Sequence, residues 1–325
     1  MSGRDKPDGA EKATSQKSAV YADEKSDSSV VPEKLPNNGP GSAEAMEERE
    51  LAKGNSEQSS ASRTQSRTSA LSGLLAVRQA ARQDRRVKFT SLLHHVTVEL
   101  LRESFYSLKR DAACGVDGIS WREYEQDLQE KLKTLHDKVH SGRYRAKPVR
   151  RVFVPKADGS ERPQGVTALE DKIVQTAVVQ VLNAIYEQNF LGLSYGFRPG
   201  RGQHDALDAL SVGIQNSRVR WILDVDIRAF FDTIDHKWMM CFLQHRIADR
   251  RVLGLIARWL RTGVIENGKR VPTKQGTPQG APISPLLANI YLHYVDGFVD
   301  QAMAWAYGTG RDDRRAVRRR QRAWV

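Results

Sequence analysis

The stretch WILDVDIRAFFDTIDH, Trp221–His236, decides how the chain reads. It opens on Trp221-Ile222-Leu223 and continues through Val225 and Ile227, an apolar run that predicts a buried strand. Asp224 and Asp226 interrupt the run, and the aromatic pair Phe230-Phe231 follows it. A carboxylate on a buried strand is costly unless something pairs with it, and at a catalytic site the usual partner is a divalent metal. An isolated Asp-x-Asp more often just faces water or an arginine. The rest of the chain has to decide.

The chain has 325 residues, 39% of them hydrophobic, enough for a sizeable core beside a polar tail. Its mean hydropathy of −0.56 marks much of it as wet. No apolar run approaches the roughly 18 residues of a membrane span. The start is polar from Ser2 onward, so no signal peptide is expected. Cys114 and Cys241 stand far apart without metal-type spacing, which fits a reduced, cytoplasmic setting. Charge is unevenly placed: net −2 over residues 1–70, +11 over 71–295 and +3 over 296–325. So basic a central region suggests a polyanionic partner, nucleic acid before anionic membrane.

Residues 1–70 are rich in Ser, Gly, Asn, Glu and Lys and cannot bury enough surface to offset their ordering entropy, so a disordered tail is expected. Order is expected from Leu71. Apolar spacing predicts a helix from Phe89 to about Arg110, a turn at Cys114–Gly118, and a second helix from Trp121 to about His140. Arg150–Lys156 reads as a strand, Ala157–Ser160 as a tight turn, and Glu161-Arg162-Pro163 as the returning arm. Lys156 and Arg162 near its tip are either solvated or a clamp on phosphates.

A long apolar helix is expected over 168–190. The loop Ser194–Gly202 interleaves Tyr195 and Phe197 with Arg198 and Arg201, a pattern suited to stacking bases and holding phosphates, or to a purely structural Gly/Pro loop. Helices are expected over Gln203–Gln215, Lys237–Ile247 and Val252–Arg261. A hairpin around Asn267-Gly268 precedes Gln275–Pro285 and an apolar helix, Leu286–His293, with Ser284 as its cap.

Five stretches then stand in a telling order: Phe89–Trp121, Phe153–Gln175 with VPKADGSERPQG, Ser194–Leu207 with SYGFRPGRG, Leu223–His236, and Gly276–Val295 with GTPQGAPISPLLANIYL. Together, from about Arg82 to Val295, they resemble the reverse transcriptase of bacterial group II introns, an intron-encoded protein that is also a maturase. The resemblance implies an α+β right-hand polymerase: a helical extension over 71–145, then fingers and a partial palm over 146–295, the palm an antiparallel sheet flanked by helices. It implies RNA-directed DNA polymerisation with Mg²⁺, acting on an RNA template, a DNA primer and dNTPs, with intron RNA as partner and no membrane. Asp226 matches the first metal-binding carboxylate, with the Ile227 carbonyl beside it, and Asp224 matches no catalytic position. Phe231 matches the aromatic that rejects a 2′-hydroxyl. Lys156 and Arg162 match the residues that grip the triphosphate, and Gln279 and Gly280 the turn that touches template and nucleotide. Gln164 departs from the family's usual Leu.

Two metal ions need several converging carboxylates. The family supplies the others from a Tyr-Ala-Asp-Asp hairpin about two dozen residues after Val295, and these 325 residues hold no such sequence. Asp312-Asp313 is flanked by Gly and Arg and is not read as a substitute. Residues 296–325 are expected to be an Arg-rich, non-family tail on a truncated chain. Val317–Val325 can be encoded so that a one-base shift spells Tyr-Ala-Asp-Asp-Ser-Val-Leu-Gly-Phe. The in-frame resemblance fades near Asp296, where a frame change is expected. The chain as written is expected to be inactive, or to persist as a noncatalytic intron-RNA-binding remnant.

Overall fold

The helix Leu169–Tyr186 (α5) is apolar on nearly every side, and such a helix has to be enclosed by its neighbours. Ile173, Val174, Ala177, Val178, Leu182 and Ile185 are all buried. The computed structural model describes residues 72–155, 159, 161–216, 219, 222–266, 268–278 and 280–307, all within the unit Ser56–Val325. Residues 1–71, Lys156, Gln279, and 308–325 with Asp312-Asp313 lie outside them, as does the side chain of Arg162.

Before α5 come α1 over 72–83, a 3₁₀ turn at Leu93–His95, α2 at Val98–Ser107, α3 at Trp121–Glu125, α4 at Leu128–His140, and the strands Val149–Pro155 (β1) and Glu161–Val166 (β2). After it come Gln203–Asn216 (α6), Phe230–Thr233 (α7), His236–Gln244 (α8), Arg250–Arg261 (α9), Val264–Glu266 (β3), Lys269–Val271 (β4) and Ser284–Tyr307 (α10). The helix expected from Phe89 starts later. Thr97 caps α2 by accepting the Leu100 N–H at 3.2 Å. Phe89 instead forms a parallel bridge with Ile247. The helix expected over 121–140 breaks at Asp127, whose φ of 56° no α-helix accommodates. Ser120 and Glu123 close a capping box on α3, and Trp121 stacks on Phe105 at 4.5 Å.

α2 packs against α5 and α4 against α2, with Leu101, Phe105, Leu132 and Leu135 all fully enclosed. Beside this core the sheet runs β2-β1-β3-β4. The two hairpins are antiparallel within themselves, and β1 pairs β3 in parallel, so this sheet is mixed. The chain leaves β2 and returns to β1 only about a hundred residues later, long enough for the crossover that parallel pairing requires. The α+β architecture stands.

The strand expected at 221–227 does not form. Residues 222–227 are irregular and exposed, Leu223 to 87%. A strand must find partners for its backbone N–H and C=O groups, and among the described residues none pairs with this segment. α6 shares the condition: none of its residues is buried, and Leu207, Leu210 and Val212 face solvent.

Candidate active site

The segment after the failed strand is well anchored. The Phe231 carbonyl accepts the Thr277 N–H at 2.7 Å, and the Ile234 carbonyl accepts the Gly276 N–H at 2.7 Å. His236 Nε2 donates to the Gly276 carbonyl at 2.7 Å. Gly276 has to be glycine here: its φ is +82°, and a Cβ would sit 2.8 Å from the Phe231 and Asp232 carbonyl oxygens. Gly280, at φ +92°, presses on β2, where a Cβ would meet the Gly165 carbonyl at 2.6 Å. The aromatic turn, the glycine loop and the hairpin are thereby locked together.

Between them lies an open cavity of about 380 Å³, lined by Arg151, Gln164, Asp232, Lys274, Gly276 and Thr277 among others. Arg151 is held by Glu266 at 3.1 Å. Sequence reading missed Arg151 and Lys274; their signal was only a second cation in an Arg-Arg strand and a lysine just before the glycine loop. Gln164, the departure from the family pattern, lies on the cavity wall against Gly280. Phe231 is half-buried in α7 and meets Phe197 edge to face at 6.4 Å.

Asp226 and Ile227 are exposed on the irregular segment. Among the described residues no group of three His, Cys, Asp or Glu could hold a metal ion. Asp226 alone does not provide the donor set that two Mg²⁺ ions need.

The loop after α5 corrects one expectation. Arg198 is buried, not free for phosphate: its guanidinium grips Glu187 at 3.0 Å and donates to the carbonyls of Leu191 and Ser194 at 2.8 and 2.7 Å. Arg201 donates to the carbonyls of Gly192 and Ser194 and lies over the Tyr195 ring. Asn289 of α10 donates to the Gly196 carbonyl at 2.8 Å. These bonds leave Phe197 projecting, 71% exposed, at a φ of 54° that a bulky residue seldom adopts.

Under the hairpin a buried polar network fixes the approach of β1. Tyr144 donates to the Asp171 carboxylate and accepts from the Trp259 indole at 3.1 Å, while the Lys147 N–H reaches Asp171 at 2.9 Å. Burial pushes the Asp171 carboxyl up to about 6, with the Tyr144 and Lys147 hydrogen bonds opposing it.

Residues 154–311 match the family model described as reverse transcriptase (RNA-dependent DNA polymerase). Protein YkfC of Escherichia coli (strain K12) is 37% identical over 203 residues, 62% of this chain and 53% of its own length. The group II intron-encoded protein LtrA of Lactococcus lactis subsp. cremoris is 40% identical over 205 residues, 61% of this chain and 33% of its own length. Among solved structures, a chain of a partial Cas6-RT-Cas1–Cas2 complex is similar at TM-score 0.42 and 20% identity, over 63% of this chain and 34% of that one. The chain thus spans about half or less of the length of these relatives. No helix among the described residues is long and apolar enough to cross a membrane. With the five motifs in order and a reverse transcriptase match over four of them, the chain is similar to group II intron-encoded reverse transcriptases over the part it shares with them.

Proposed function

We propose that this chain carries the fingers and part of the palm of an RNA-directed DNA polymerase of the maturase type, working in the cytoplasm on intron RNA. The observation that carries the reading is the bond from Thr277 to Phe231: it joins the aromatic that would filter the sugar to the loop that would touch template and nucleotide. Lys156 and Arg162 would hold the triphosphate, Gln279 and Gly280 the template base, and Phe231 would exclude a 2′-hydroxyl. Mg²⁺ would supply the charge that activates a primer hydroxyl and holds the triphosphate. Asp226, with the Ile227 carbonyl, is this chain's contribution to that charge. One carboxylate does not complete the site, so no catalytic step is routed through it. The division into 71–145, 146–295 and 296–325 is part of the same proposal.

A second reading rests on the charge: with +11 over residues 71–295, these 325 residues would hold intron RNA without copying it. Primer extension with Mg²⁺ on an RNA template separates the two. With one carboxylate the expected result is no extension, and RNA binding that weakens steeply with salt then supports the second; extension abolished in Asp226→Ala would overturn the expected inactivity.

A further inference from the structure

The cavity beside the glycine loop is used by none of the roles proposed so far. Its floor is one face of the sheet. Val149 stands opposite Val264, Val264 opposite Val271, and Arg151 opposite Gly165, so these residues share a side. Phe231 and Gly280, proposed for the incoming nucleotide and the template base, are not among the residues that line it.

Two features of the wall call for an occupant. Thr277 is 4% exposed, and its enclosed hydroxyl has no hydrogen-bond partner. A buried hydroxyl left unpaired is a cost to the fold. What fixes Thr277 is the bond from its backbone N–H to the Phe231 carbonyl, which a valine would make equally well. Lys274, exposed on the same loop, makes no ion pair among the described residues, whereas Arg151 is held by Glu266.

Size and lining then narrow the ligand. About 380 Å³ is near the lower end of ligand sites, which run from roughly 300 to 1,000 Å³, so it suits one nucleotide and not a duplex or a helix. The valine floor and Pro163, Pro272 and Pro278 offer a base an apolar surface, and Lys274 offers a phosphate its charge. Phe153, two residues from Arg151 on the same face of β1, stands opposite Pro163 and is 47% exposed, a ring for the next base along. Asp232 also lines the wall, which disfavours a bare phosphate and leaves the base to carry recognition.

We propose that this cavity takes one unpaired nucleotide of single-stranded RNA, its phosphate on Lys274 and its base or sugar bonded to the Thr277 hydroxyl. The inference rests on the nucleic-acid reading of the chain, in either of its two forms, and involves neither metal nor catalysis. A base already paired in a duplex cannot enter, so the cavity adds a preference for single strands to the unspecific attraction of a basic surface.

Fluorescence anisotropy on the full 325-residue chain, with a labelled short oligouridine beside a blunt RNA duplex, tests this. Thr277→Val should weaken oligouridine binding about fivefold and leave duplex binding as it was. It should keep or raise the urea midpoint, because the lost hydroxyl has no partner within the fold. Lys274→Gln should weaken oligouridine binding and lower the slope of log affinity against log salt by about 0.7, again without changing the duplex. Excess uridine monophosphate should compete, and inorganic phosphate should not. The proposal is overturned if both variants bind oligouridine as the wild type does, or if they lose single strand and duplex alike, as a plain basic surface would. Competition by inorganic phosphate, or a lower urea midpoint in Thr277→Val, overturns it too. RNA binding that persists through such results removes this subsite alone; no RNA binding at all removes the nucleic-acid reading with it.

Discussion

Arg198 shows how a residue's type can mislead when its surroundings are unknown. In sequence it is one cation in an aromatic, glycine-rich loop, which fits a phosphate contact. In the fold it is the peg of that loop, gripping Glu187 and two carbonyls. Removing one partner of a buried ion pair leaves the other uncompensated, so Arg198→Ala should cost about 3–5 kcal/mol of stability by urea unfolding. Arg198→Lys should rescue little, because a point charge cannot replace the fork. A phosphate contact would instead lower RNA affinity and leave the urea midpoint in place. Asp171 makes a separate prediction. Its carboxyl is pushed up to about 6 from 3.8, so the folded state holds this proton more tightly than the unfolded state does. The stability it lends is complete below about pH 4 and is lost as pH rises through about 6. The gap between wild type and Asp171→Asn should therefore move by about 2 kcal/mol in the variant's favour between pH 4 and pH 7. A gap independent of pH would show that Asp171 titrates normally.

Elements defined by their own residues were legible; elements that depend on a distant partner were not. α5 is apolar all round, and α9 and the β3–β4 hairpin carry local signals, so each stands close to its expected place. The break at Asp127 was invisible because the apolar spacing continues through it. Trp221–Ile227 has the composition of a strand, yet composition cannot supply the neighbour that would pair with it. The site divided along the same line. Phe231, bonded to Thr277, and Gly280, pressed on Gly165, are each tied to residues that line one cavity, while Asp226 stays exposed on the unpaired segment. The contrast between α5 and α6 is measurable. Leu182→Ala, in the enclosed helix, should cost about 2–5 kcal/mol, whereas Leu210→Gln on the uncovered α6 should stay below about 1 kcal/mol. A large loss at Leu210 would mean that α6 is packed after all.

At the scale of the molecule, a finished core carries an unfinished catalytic face. Helices α2, α4, α5 and α9 bury most of their apolar residues, while the segment proposed to bind metal has no strand partner and joins no metal-holding group of His, Cys, Asp or Glu among the described residues. The family match runs through residue 311, beyond Asp296, and α10 continues as a helix to Tyr307. The frame-change idea can therefore be checked in the nucleotide sequence across 290–330. A basic core of +11 should bind intron RNA with an affinity that falls steeply between about 50 and 200 mM salt. Whether these residues also polymerise turns on the metal site. The most direct measurement is primer extension by the full 325-residue chain with Mg²⁺, dNTPs and an RNA template, beside Asp226→Ala. The expected result is no extension by either protein, with RNA binding intact in both; extension by the wild type that disappears in Asp226→Ala would contradict the account.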